Sequence, residues 1–119
     1  MNKVNLAEQF SRIDDYWHPR IAGELNGQYV KLAKLKGAFV WHHHASEDEL
    51  FLVVQGTLRM QLRDRTVELH AGEFGIVPAG VEHCPVAEEE CHVLLFEPKA
   101  THHTGNVQHA LTRTVLEWI

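Results

Sequence analysis

Between Gln28 and Pro98 the chain breaks into short runs of β-branched and large apolar residues, each closed by a turn signal. That rhythm constrains the fold more than any other feature. QYVKLAKL (28–35) alternates, AFVWHHH (38–44) reads as extended, and ELFLVV (49–54) is a tight apolar run. TLRMQLR (57–63) alternates again, with Gln55-Gly56 before it and Asp64-Arg65 after it as turns. TVELH (66–70), FGIVP (74–78) and CHVLLFEP (91–98) complete seven predicted strands, the last entered through an acidic turn at Glu88-Glu89-Glu90. Turns recurring every eight to twelve residues or so suit a sandwich or small barrel. The expectation is an all-β domain.

Residues 1–27 are expected to form an N-terminal arm, with NLAEQFSRIDDYW (5–17) a short helical or irregular piece. Residues 28–100 are predicted to form the barrel and 101–119 a C-terminal tail packing on it, its TRTVLEWI end able to add an edge strand. A chain of 119 residues buries one core, so one site is expected. The formal net charge of −5, with no Lys/Arg cluster, argues against nucleic acid and against an anionic membrane surface as partners. No apolar run approaches a membrane span, and the first residues lack an apolar signal core, which makes the cytoplasm the expected compartment. Cys84 and Cys91 form no CxxC pair and are expected to be half-buried thiols.

Ten histidines are unusual in a chain of this size, and three of them, His42, His43 and His44, are consecutive. In extended backbone, side chains alternate faces, so His42 and His44 project to one side and His43 to the other. Ala45, Ser46, Glu47 and Asp48 read as a turn that lets Glu49 return beside the pair. Imidazole nitrogens and a carboxylate converging on one point suit a single divalent transition metal ion (Zn, Fe, Mn, Ni, Co or Cu) and suit Ca or Mg poorly. Inside an apolar barrel such a cluster needs a cation, because unpaired buried polar groups are costly.

The stretch GAFVWHHHASEDELFLVVQG, Gly37 to Gly56, resembles the first motif of the cupin superfamily, G-x5-HxH-x3,4-E-x6-G, with one residue fewer between the leading glycine and the first histidine. The stretch GEFGIVPAGVEHCPVA, Gly72 to Ala87, resembles the second, G-x5-PxG-xx-H-x3-N, with Ala87 where the family has Asn. The resemblance implies a double-stranded β-helix, a jelly-roll-like cupin barrel, and a metal held by His42, His44, Glu49 and His83. Local chemistry agrees for His83: Gly72 and the Pro78-Ala79-Gly80 bend let the next strand carry it back across the barrel.

The resemblance also implies dioxygenase, isomerase, lyase or decarboxylase chemistry without choosing among them. The expected function is a metal-dependent enzyme acting on a small oxygen-chelating metabolite. The alternative is a non-catalytic cupin that holds a metal or a small ligand. An effector domain of a regulator is disfavoured, since no helix-turn-helix segment is left over.

No acid or base is identified. His43 is expected at the surface or an interface, and Glu47 and Asp48 in a solvated turn, the other option being that one accepts a hydrogen bond from a ligand imidazole. Glu82 is equally open, and His102-His103 are expected in a solvated tail rather than over the barrel mouth. Trp17 and Trp41 are expected in the core or an interface. If Glu49, Phe51 and Val53 face inward, then Leu50, Leu52 and Val54 face outward as an apolar stripe. The arm or a second subunit must cover that stripe, and a homodimer is the expectation.

Overall fold

The computed structural model describes residues 1–101, 104–107 and 115–119. Near the N-terminus Asn5 caps α1 (Leu6–Phe10), its side chain accepting the Glu8 N–H at 3.0 Å. Seven strands follow: β1 (Arg20–Leu25), β2 (Gln28–Ala38), β3 (Glu49–Gln55), β4 (Thr57–Leu62), β5 (Thr66–His70), β6 (Phe74–Val77) and β7 (His83–Pro98). They pair antiparallel in the order β1-β2-β7-β3-β6, and β4 joins β7 to β5. The long β7 serves both layers: its first residues pair with β4 (Leu62↔His83), its later ones with β2 and β3 (Ala33↔Val93, Val53↔Val93). This is the jelly-roll arrangement expected for a double-stranded β-helix.

Three features of the strand pattern differ from expectation. Arg20–Leu25, inside the predicted arm, is a strand, hairpinned to β2 through Asn26 (φ 50°) and Gly27 (φ 77°). Asn-Gly with both residues at positive φ is the turn whose twist matches a two-residue hairpin, and that signal was present in the sequence. The segment 38–44 is not a strand: β2 ends at Ala38, and beyond it only an isolated bridge joins His42 to His83. Phe39 N–H donates to Pro85 O at 2.9 Å, but Pro85 has no N–H to return, so a regular ladder cannot continue there. Finally, Glu88-Glu89-Glu90 lie within β7 rather than in a turn. There the Glu88 carboxylate takes a hydrogen bond from Arg59, and Glu90 from Tyr16, so the acids stay solvated or paired.

Alternation along β3 is as expected: Glu49, Phe51 and Val53 are buried, while Leu50, Leu52 and Val54 are half-buried. Phe51 and Val53 join Leu35, Leu58, Met60 and Val93 inside the barrel. Burial of each such side chain is worth about 1.5–3 kcal/mol. On the outer face Phe10 and Ile13 pack over Leu32, Val54 and Leu94, so the N-terminal segment covers part of the stripe. At the C-terminal end Trp118 makes a single parallel bridge to Ile21.

Candidate metal centre

His42 and His83 are placed by paired backbone hydrogen bonds, His42 N to His83 O at 3.0 Å and His83 N to His42 O at 2.9 Å. This brings their ring centroids to 4.3 Å. His44 is tied to the second motif by its carbonyl, which accepts the Gly80 N–H at 2.7 Å. Asp48 accepts the Ala79 N–H at 2.8 Å, so this residue, expected merely to be solvated, fastens the Pro78-Ala79-Gly80 bend to the histidine loop. Glu47 accepts the neighbouring Ser46 N–H at 3.0 Å. Glu82 pairs with Arg63 at the surface, and Arg63 in turn stacks on Trp41, 3.9 Å from the ring centroid. His102 and His103 lie outside the described residues.

His42, His44, Glu49 and His83 are all buried, and their donor atoms lie within 4.8 Å of one another. His44 Nε2 is 3.2 Å and His83 Nε2 3.6 Å from Glu49 Oε1. His42 Nδ1 donates to Val40 O at 2.8 Å and His83 Nδ1 to Val81 O at 2.9 Å. A carbonyl oxygen can only accept, so these bonds put the hydrogen on Nδ1 and leave Nε2 of both rings a bare lone pair. Among the described residues, the buried atoms His44 Nε2, His83 Nε2 and Glu49 Oε1 have no hydrogen-bond partner. Acceptor atoms crowded together in a buried site repel one another, and a cation between them removes the penalty. The residues therefore fit a single divalent transition metal ion, with borderline N/O donors suited to Zn or its neighbours.

Proton positions favour the same occupant. Burial, reinforced by the neighbouring His83, lowers the His42 pKa to about 4, so its imidazole is neutral at pH 7. Burial alone would raise Glu49, but the close approach of Glu97, His44 and His83 holds it well below the ordinary carboxylate value. Glu97 moves the other way, raised well above that value by burial and by the charge of Glu49. Its other contact is Lys31, whose Nζ donates to Glu97 Oε1 at 2.8 Å, both side chains being 1% exposed. Neither Lys31 nor Glu97 was singled out from the sequence. The signal was there for Lys31, which shares the inward parity of Ala33 and Leu35 in QYVKLAKL.

The middle histidine is set apart as expected. His43 is half-buried, and its backbone N–H donates to Asn106 Oδ1 at 2.9 Å while its carbonyl accepts the Asn106 N–H at 3.1 Å. Gly105 (φ +58°) passes so close to His42 and His43 that a Cβ there would collide with the His43 carbonyl. A C-terminal segment is thus clamped on the histidine loop. A cavity of about 30 Å³, room for roughly one or two waters, lies against the cluster, lined by His42 and Glu49 with Trp17, Leu35, Phe39 and Phe51 among others. Trp17, in the core as expected and stacked on Phe39 at 4.8 Å, holds a left-handed backbone (φ 65°) through hydrogen bonds to Lys34 O and Lys36 O.

Comparison with known proteins places this site in a family. A cupin-domain family model matches residues 28–97. Among solved structures, a cupin-2 domain containing protein from Shewanella frigidimarina is 45% identical with a TM-score of 0.80, over 81% of this chain and 94% of that one. Protein NMB1881 from Neisseria meningitidis is 30% identical with a TM-score of 0.76, over 82% of this chain and all (100%) of the other. The hydroquinone 1,2-dioxygenase of Sphingomonas sp. TTNP3 shares the fold at 15% identity, with a TM-score of 0.68 over 80% of this chain and 72% of that one. A curated relative, the uncharacterized protein YdbB of Bacillus subtilis, is 39% identical over 61 residues, 50% of this chain, which spans only about half (54%) of that protein's length. With the barrel, both histidine motifs and the family match falling on the same residues, the chain belongs to the cupin superfamily.

Proposed function

We propose that this cupin is a metal-dependent enzyme in which His42, His44, Glu49 and His83 hold one divalent transition metal ion, acting on a small metabolite that chelates through oxygen. The observation that carries the reading is the convergence of buried, partnerless lone pairs on one point. When bound, the ion would supply Lewis-acid polarisation of a coordinated oxygen or, as Fe(II), dioxygen chemistry of the dioxygenase type; isomerase and lyase reactions use the former. The chain's own contribution is preorganisation. Val40 and Val81 carbonyls orient two rings, Glu97 stands against Glu49, and largely apolar walls line the small cavity at the remaining face.

Among the described residues, no titratable side chain beyond His42 and Glu49 lines the adjoining cavity. A substrate must therefore present its oxygens to the ion and apolar surface to the walls. The same lining favours a second reading, a non-catalytic cupin that holds a metal or small ligand, because among the described residues no independent acid or base stands in the cavity. Metal content decides the common premise. Untagged protein should carry, or take up at neutral pH, one equivalent of a transition metal. His44→Ala and His83→Ala should abolish tight binding while His43→Ala leaves it intact; equal loss in all three would refute the assignment.

We also place the chain in a homodimer and in the cytoplasm. Cys84 and Cys91 are buried free thiols, which suits a reducing compartment, and among the described residues no helix is long and apolar enough to cross a membrane. The dimer is supported by the outer sheet face, where Ile76, Leu50 and Phe96 lie side by side across three strands, next to Phe74 and Leu52. Phe74 and Ile76 are 59% and 56% exposed, outside the reach of the N-terminal cover. A net charge of −5 makes nucleic acid an unsuitable partner.

A further inference from the structure

A second cavity, of about 320 Å³, lies between the β4–β5 hairpin and β6, lined by Met60, Leu62, Val67, Leu69, Val77 and others. It is some tenfold larger than the space beside the metal cluster, and Phe51 lines both. Its origin is topological. β5 pairs with β4 and β6 with β3, but among the described residues no ladder joins β5 to β6, so the two layers part at this edge and expose the barrel interior. Glycine at position 75 leaves the wall of β6 without a side chain there.

Among the described residues one charged residue lines this cavity, Arg65, on the turn that follows β4. Its neighbours in sequence and space are neutralised: Arg59 pairs with Glu68 and Glu88, and Arg63 with Glu82. Among the described residues no carboxylate pairs with Arg65, not even the adjacent Asp64. Its carbonyl is engaged with the Leu62 N–H at 2.7 Å, which closes the turn and holds the residue at the cavity rim. An apolar chamber of this size with one guanidinium is a recognisable combination. Among the described lining residues there is no acid for a cationic ligand, and no hydroxyl or amide side chain for a sugar. A single guanidinium suits a monoanion, and its planar fork suits a carboxylate.

We propose that the chamber between the β4–β5 hairpin and β6 binds a small amphiphilic anion, an apolar body of about ten heavy atoms whose carboxylate pairs with Arg65. This site is separate from the metal centre and does not depend on it. Octanoate, octan-1-ol and octylammonium serve as ligands for titration calorimetry at neutral pH, on the protein as purified and after chelator treatment. Octanoate should bind saturably, one per chain, with the same affinity in both preparations; octan-1-ol should bind about tenfold more weakly and octylammonium not at all.

Arg65→Gln should lose about tenfold for octanoate while leaving octan-1-ol unchanged. Gly75→Leu should abolish binding of both, since a Cβ at Gly75 meets only the Leu69 methyls, at 3.7 and 3.9 Å, and the side chain can enter the chamber. Should that variant not fold cooperatively, Val67→Phe fills the same space from β5. The proposal is overturned if octanoate shows no saturable binding, if it binds no better than octylammonium, or if Arg65→Gln binds it unchanged. Binding confined to the metal-loaded preparation would overturn it too, because the carboxylate would then sit on the ion. Loss of metal uptake would instead bear on the metal centre alone.

Discussion

Glu97 and Lys31 show how one buried pair can shape a site that neither residue touches as a ligand. Burial and the Glu49 charge raise the Glu97 carboxyl well above the ordinary carboxylate range, which favours its protonated form beside Glu49. Glu97→Gln retains a donor for Glu49 and an acceptor for Lys31, and should change stability by less than about 1 kcal/mol. Glu97→Ala leaves the Lys31 ammonium with only the Thr101 carbonyl at 3.4 Å, and should cost about 3–5 kcal/mol in denaturant unfolding. A pH test belongs to His42. Its folded pKa of about 4 lies below the ordinary 6.5, so between those values the unfolded chain binds a proton that the folded chain refuses. Stability is then fully present above pH 6.5 and declines as pH falls toward 4, by about 3 kcal/mol in metal-free protein. Glu97 opposes this, its contribution fading as pH rises through its raised value. Comparison with His42→Asn isolates the histidine: its unfolding free energy should vary less steeply over the same range.

Strands and turns account for how these residues meet. Gly56 (φ +90°) joins β3 to β4 beneath β7, and a Cβ there would stand 2.8 Å from Glu90 O and 3.1 Å from Cys91 Cα. Gly56→Ala must shift backbone on two elements and should lower stability by about 2–3 kcal/mol, read as a fall in the denaturation midpoint with unchanged slope. At this scale much was legible beforehand. Inward Glu49, Phe51 and Val53 follow from period-two alternation alone, and Gln55-Gly56 announces its own turn. The histidine segment was legible in outcome but not in cause. His42 and His44 do share a buried side, yet the backbone at 39–44 is not a strand, and a bridge to His83 rather than sheet parity places His42. Pro85, forty residues downstream, withholds the N–H that a ladder would need, and no local reading of AFVWHHH contains that fact.

For the molecule as a whole, the open half of the outer sheet face is the consequential surface. The N-terminal segment covers Leu32, Leu94 and Val54 and leaves open the row through Ile76, Leu50 and Phe96, which is the surface the proposed dimer would use. Phe74→Glu with Ile76→Lys should yield a monomer in light scattering at micromolar concentration, with metal uptake retained; a wild-type monomer would remove the dimer. The amino-acid sequence by itself determined what is local: the strand periods, the turn glycines, the donor types and spacing of a metal site, and its two-motif family resemblance. Tertiary structure alone decided that the ligand atoms of His44, His83 and Glu49 converge in a buried site, that Lys31 and Glu97 are sealed beside them, and that Arg65 rims a chamber at the parted edge. The physical reason is that donor chemistry and backbone preference belong to a residue and its neighbours. Burial, which sets the energy of a charge or an unpaired polar atom, is supplied by residues dozens of positions away.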